Sequence, residues 1–181
     1  EGSPWVDKRL RHAANLCLNR ADLKEALNGM MEVPKGTVPP GHPWWGNPKF
    51  DIRYDVPAAQ KLMAEAGHSA AKPLKVKVQI SASGSGQMLP LPMNEYLQQN
   101  LKECNFDISF EVVDWGAMLV ALRNPPSAPQ GLGVDAMNIS LHISMDISQF
   151  ALFNLSANTP PKGRNWPNWT SCSRAAGDRV E

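Results

Sequence analysis

The chain has 181 residues, with 18 lysines and arginines against 17 aspartates and glutamates and a formal net charge of +1. That length supports one well-buried domain, and balanced, scattered charge excludes the electrostatic footprint of a nucleic-acid-binding surface. No apolar run approaches the roughly 18 to 20 residues of a membrane-spanning helix. Glu1-Gly-Ser-Pro4 has neither the charged start nor the apolar core of a signal peptide, so the expectation is a soluble chain without a leader of its own.

The first predicted helix covers 7–19. Leu10, Ala13, Ala14, Cys17 and Leu18 recur at helical spacing, and Asp7 suits the N-cap. A second helix starts near Ala21, with Asp22 favourable in its first turn, Leu23, Ala26 and Leu27 inward, and Gly29 as the stop signal. Five prolines between Pro34 and Pro48 then exclude regular helix and central strand, since each lacks a backbone donor and restricts the residue before it. Trp44 and Trp45 sit in this loop, where they either wall a ligand or pack the loop onto its own domain.

Asp55 is placed to cap a third helix that tolerates Pro57 in its first turn, turns Leu62, Met63 and Ala66 inward, and ends at Gly67. Leu74 to Ile80 alternates apolar and polar residues, the pattern of a half-buried strand. The loop Ser81-Ala-Ser-Gly-Ser-Gly-Gln87 follows. Leu89, Met93, Tyr96, Leu97, Leu101 and Cys104 then repeat at helical spacing, with Pro90 and Pro92 confining the start and Asn105 standing where a left-handed residue ends the helix. A strand from Phe106 to Val113, a helix from Trp115 to Arg123 with Met118, Leu119 and Leu122 inward, a proline-rich loop and a strand from Asp135 to Leu141 complete the pass. Alternating strands and helices predict α/β layering with parallel pairing and right-handed crossovers.

Cys17, Cys104 and Cys172 cannot all pair and form no metal-ligand spacing. Cys17 and Cys104 fall on apolar helix faces and are expected to be small, unbridged core residues; the count leaves the redox compartment undecided. His12, His42, His68 and His142 lie far apart in sequence, so no metal site is expected, although His142 stands close to Asp146. No nucleophile elbow or comparable context surrounds the serines, which predicts a protein that is not an enzyme and carries no cofactor.

The order of these pieces resembles the peptide, nickel and opine class of ABC-transporter solute-binding proteins. The resemblance rests on Leu10-Arg-His-Ala-Ala-Asn-Leu-Cys-Leu-Asn-Arg20, the proline and tryptophan loop, the helix closed by Gly67, and Asn94-Glu-Tyr-Leu-Gln-Gln-Asn-Leu-Lys-Glu-Cys-Asn-Phe-Asp-Ile108 with its following strand. It covers roughly 7–165. It implies a two-lobed periplasmic-binding-protein-like fold of which residues 1–165 form the second lobe, a central mixed or mostly parallel sheet flanked by helices, with the first lobe missing and 166–181 a poorly matched tail. It also implies capture of a small solute, a peptide or another small polar ligand, outside the cytoplasm or in the periplasm. The solute would pass to an ABC permease in the membrane, with no role for nucleic acid.

By the register of dipeptide-binding relatives, an arginine for the ligand carboxylate would fall at Ala82 and an aspartate for the ligand amine at Ile143; a shift of two or three residues would bring Asp146 to the second place. Ser81, Ser83, Ser85 and Gln87, at the strand edge where open α/β sheets usually bind ligands, offer neutral donors and acceptors that suit an uncharged polar solute. The candidate binding residues are therefore Ser81, Ser83, Ser85, Gln87, His142, Asp146, Trp44 and Trp45. The competing reading is a self-contained interaction or dimerisation module, whose exposed tryptophans and prolines would recruit a partner.

Overall fold

The structure is a computed structural model that describes residues 3–35, 40–43, 45–46, 53–84, 87–122, 124, 129 and 133–139. Its main elements are α1 (Lys8–Cys17), α2 (Arg20–Ala26), α3 (Val56–Glu65), β1 (Leu74–Ser81), α4 (Pro90–Glu103), β2 (Phe106–Val113), α5 (Trp115–Leu122) and β3 (Ala136–Met137).

Short polar side chains start the helices. Asp7 caps α1 by accepting from the Arg9 backbone N–H at 2.8 Å, and its carboxylate also takes the Arg9 guanidinium, with Nη2 at 2.6 Å. Arg9 Nη1 donates to the carbonyl of Glu65, so the cap of α1 is tied to the last residue of α3. Asn19 caps α2, and Asp55 caps α3 by accepting from Ala58 N–H at 3.0 Å. The backbone of Asp55 donates to Leu16 O at 2.8 Å, which seats the start of α3 beside the end of α1.

Left-handed residues stop the helices. After α3, Gly67 (φ 87°) donates to Ala64 O and His68 to Met63 O, both at 2.9 Å, the paired bonds of a Schellman closure. After α2 the same pair runs from Asn28 to Glu25 O and from Gly29 to Lys24 O, so the left-handed C′ position is Asn28 (φ 51°) rather than Gly29. After α4 it is Asn105 (φ 65°), as its place in the sequence predicts.

The three strands are all parallel in the order β2-β1-β3. The turn at Asn105 sets their register: its carbonyl accepts from Leu74 N–H at 2.9 Å, so Leu74 pairs with Phe106 and the ladder runs in step to Ser81 and Val113. Asp135 extends β3 toward its start, accepting from Lys77 N–H through Oδ2 at 2.9 Å and donating from its own N–H to Lys77 O at 2.8 Å. Leu10, Ala13, Leu16, Cys17, Ala59, Met63, Val76, Cys104, Phe106 and Ile108 form the main core, where α1 and α3 meet one face of the sheet, and Trp5 stacks on Phe106 at 6.1 Å.

Several inward assignments change. Cys17 and Cys104 are fully buried, as expected of core residues, but they are bridged: a disulfide joins them with Cα atoms 6.2 Å apart across a sequence separation of 87. The α1 helix ends at Cys17 with Leu18 as its half-buried C-cap, and Leu16 enters the core. Ala26 is exposed because α2 has only seven residues and turns Leu23 and Leu27 inward. Leu89 is the N-cap position of α4 and 46% exposed, and on α5 Ala121 is buried with Met118 and Leu122 while Leu119 is only half-buried. Of the predicted strand 135–141, residues 140 and 141 lie outside the described residues.

In the chain-entropy description, closing a loop of this size stabilises the folded state by about 4–5 kcal/mol. The Cys17→Ser, Cys104→Ser variant is expected to lose most of that in urea denaturation, and a loss below about 1 kcal/mol would refute the assignment. The Arg9 hydrogen bonds to Asp7, with its nearby charge, hold the Asp7 carboxyl at about 2 against an ordinary 3.8. A depressed folded-state pKa contributes stability above the ordinary value that is lost as pH falls through the folded one. The Asp7 carboxyl carbon should therefore titrate near pH 2 by NMR, and Asp7→Asn should flatten the acid limb of the stability curve between about pH 4 and 2.

Candidate functional site

Parallel strands bring their C-terminal ends to one edge, where the connecting loops gather. Here β1 ends at Ser81 level with Val113 of β2, and Met137 pairs with Gln79, which leaves Asn138 beside the last turn of the ladder. The edge therefore gathers the loop after Ser81, the Asp114 turn into α5, and Asn138.

The loop after β1 is shaped by its own side chains. Ser81 is buried; its Oγ donates to Ser83 O at 2.5 Å and accepts from Ser83 N–H at 3.4 Å, a serine turn that starts the loop. Gly84 is left-handed (φ 76°), and a Cβ built on it would lie 3.0 Å from Trp115 Cβ and 3.1 Å from Cγ. Trp115 thus floors the loop from the first residue of α5, whose start is capped by Asp114 accepting from Ala117 N–H at 3.0 Å.

Beyond the loop, Asn94 of α4 is 1% exposed and bonds in three directions. Its Nδ2 donates to Pro90 O at 2.7 Å and to Gln87 Oε1 at 3.2 Å, and its Oδ1 accepts from Asn138 Nδ2 at 2.6 Å. Asn138 is fixed a second time by its backbone N–H donating to Gln79 O at 3.0 Å. The Gln79 side chain is fully buried, and neither its Nε2 nor its Oε1 has a partner among the described residues. Next to Gln87, Met88, Leu89 and Leu91 form an exposed apolar rim.

Of the residues nominated from sequence, Ser81, Ser83 and Gln87 stand together at this edge, while Trp45 lies in the loop between α2 and α3, half-buried, its N–H donating to His42 O at 2.9 Å. Trp44, Ser85, His142 and Asp146 lie outside the described residues. Sequence reasoning missed Asn94, Asn138 and Gln79. Asn94 was detectable as a polar residue three before Leu97 and seven before Leu101, on the inner stripe of an amphipathic helix.

The stretch 82–92 contains no charged residue. Clear titration shifts lie elsewhere, at the Asp7 and Arg9 pair that starts α1 and around the α1–α2 junction, where burial lowers the Arg20 guanidinium and raises the Tyr54 and Tyr96 phenols. Among the described residues, no three His, Cys, Asp or Glu side chains gather to hold a metal ion, and no helix is long and apolar enough to cross a membrane. Chemically, the loop after β1 and Asn138 offer neutral hydrogen-bonding groups beside apolar surface, and Asp114 adds an exposed carboxylate at the start of α5.

The profile of the bacterial extracellular solute-binding proteins, family 5 Middle, matches residues 1–160. No curated protein sequence matches the chain. Among solved structures it is similar to NikA from Brucella suis in complex with Fe(III)-EDTA (14% identity, 98% of this chain and 36% of that one, TM-score 0.74). It is also similar to a dipeptide-binding protein from Pseudoalteromonas sp. SM9913 in complex with Met-Leu (16% identity, 99% and 35%, TM-score 0.71). A third is a substrate-binding protein from Microbacterium hydrocarbonoxydans complexed with 4-hydroxybenzoate hydrazide (16% identity, 100% and 36%, TM-score 0.69). These likenesses establish a shared fold, and the chain spans about a third of the length of each of the three.

Gly84 meets two constraints at once, a left-handed backbone and the close approach of Trp115. Gly84→Ala is expected to destabilise the protein by about 1–2 kcal/mol, read as a lowered thermal midpoint; an unchanged midpoint would show that the loop is not seated on Trp115.

Proposed function

We propose solute capture for import as the function, because the chain belongs to the bacterial extracellular solute-binding proteins of family 5. The family is a class of binding proteins, extracellular or periplasmic, and this chain would act there without catalysis, handing its ligand to an ABC permease. Residues 1–165 would form the second lobe of a two-lobed protein and 166–181 a tail outside it. The ligand would bind where the C-terminal edge of the sheet faces the other lobe, and closing of the lobes around it would be a shift in population toward the closed state.

The observation that carries this reading is the uncharged polar edge formed by the loop after β1 and by Asn138 at the end of β3. Ser83 and Gln87 would contact the ligand, Ser81 would shape the turn beneath them, and Ser85, His142, Asp146, Trp44 and Trp45 would complete the cleft. Solved proteins of similar fold hold Fe(III)-EDTA, a Met-Leu dipeptide and an aromatic hydrazide, so the scaffold serves varied small solutes. Here Ala82 stands where a carboxylate-binding arginine is expected and Ile143 where an amine-binding aspartate is expected. Each charged hydrogen bond of that kind is worth about 1.5–3 kcal/mol, so losing both disfavours zwitterionic dipeptides. The rim of Met88, Leu89 and Leu91 suits a solute with both neutral polar groups and apolar surface.

One lobe supplies half of a cleft. The 181-residue chain alone is expected to fold, seen by its circular dichroism, and to give no calorimetric binding signal with solutes that a longer two-lobed protein binds at micromolar concentration. Micromolar binding of a small solute to the 181-residue chain alone would overturn the half-cleft reading.

A further inference from the structure

Three carboxamides cross the candidate edge in an order that fixes how each is turned. A backbone carbonyl only accepts, so the Asn94 atom 2.7 Å from Pro90 O is the donor Nδ2. Oδ1 of Asn94 therefore points to Asn138, and at 2.6 Å the Asn138 atom that meets it must be its own Nδ2. By the same logic Gln87 meets Asn94 Nδ2 through Oε1, at 3.2 Å. Asn94 is the only one of the three that is fully buried, and it bonds to both of the others.

The consequence falls on Asn138. Its Nδ2 is held by Asn94 and its backbone N–H by Gln79 O, while its Oδ1 accepts from no described residue. The half-buried carboxamide at the C-terminal end of β3 is thus locked with its acceptor uncommitted. A carboxamide oxygen takes an N–H or O–H donor, and it gives a carboxylate nothing to bind.

We propose that Asn94 is a positioning residue for ligand selectivity: it orients Asn138 so that Asn138 Oδ1 accepts a hydrogen bond from an N–H or O–H donor of the solute. The inference rests on the solute-capture reading and narrows it to solutes that place a hydrogen-bond donor, not a carboxylate, at the C-terminal end of β3. Asn94 acts through the two carboxamides it holds, Asn138 and Gln87, so its effect on affinity vanishes when both are absent. A residue that merely stabilised α4 would weaken binding in either background.

Two measurements decide it. In the 181-residue chain, the Asn138 side-chain NH2 protons should exchange slowly with solvent by NMR and lose that protection in Asn94→Ala; fast exchange in the unsubstituted protein overturns the proposal. In a longer two-lobed protein, calorimetry with N-acetyl-Ala-Ala amide and with N-acetyl-Ala-Ala acid, which has a carboxylate in place of the terminal amide donor, should show the amide binding about tenfold or more tighter. Asn138→Ala should lower affinity for the amide probe by about tenfold, and Asn94→Ala should add no further loss in a background that carries both Asn138→Ala and Gln87→Ala. Additive losses, or preference for the acid over the amide, overturn the assignment. Binding of some other solute but neither probe overturns it and leaves solute capture standing, whereas binding of no solute at all overturns both.

Discussion

The corner formed by Cys104 and Asn105 is the constraint on which the rest of the molecule depends. Cys104, the C-cap of α4, is bridged to the last residue of α1, and the next residue turns left-handed and places its carbonyl against Leu74. Within two residues the chain thus closes an 87-residue separation, ends a helix and aligns the first rung of a parallel ladder. Parallel pairing has no hairpin to set its register, so an external anchor has to do so, and a slip by one residue would turn every core side chain of β1 to the opposite face. Val76 and Phe106 in the core, and Lys77 paired with Glu111 at 2.7 Å on the opposite face, show the register that this corner selects.

The element boundaries were legible in the sequence because they are local. Asp7 and Asp55 at N-caps, Gly67 and Asn105 at left-handed stops, and the alternation from Leu74 are each decided within a few residues of themselves. The disulfide was not, because no spacing rule links positions 87 apart; their proximity follows only once α1 and α4 pack. Faces of short helices failed for a related reason. In a helix of seven residues, such as α2, the position of the last turn is set by the chain leaving it, so Leu27 enters the core at the C-cap while Ala26 faces outward. The serine loop was readable as a polar edge and Asn94 as a polar residue on an apolar stripe, whereas the bonds that join Asn94 to Asn138 and Gln87 were not, since those partners lie 44 residues away and 7 residues away.

The groups at the candidate edge divide between the fold and the loop. The side chain of Asp114, the acid at this edge, caps α5, and the side chain of Asp135 stands in for a missing β3 partner of Lys77, so both acids have roles in the fold. Serine and carboxamide groups remain, and they hold one another: Ser81 with Ser83, and Asn94 with Gln87 and Asn138. A site assembled this way is organised before a ligand arrives, which lowers the entropy lost on binding. It also discriminates by leaving a mismatched group unpaired, and an unpaired buried polar group is more costly than a hydrogen bond is favourable.

The helix α4 links the two halves of this design and also separates them. Its C-terminal end carries the disulfide and the register, while its first turns carry Asn94 and, through it, the edge. The ten residues from Asn94 to Cys104 at about 1.5 Å each put roughly 15 Å between them, beyond the 7–10 Å over which substitutions usually couple. A change at Gln87, Asn94 or Asn138 is therefore expected to leave the corner of Cys104 and Asn105 undisturbed, because the carboxamide cluster meets α4 at its first turns and the disulfide meets it at the last.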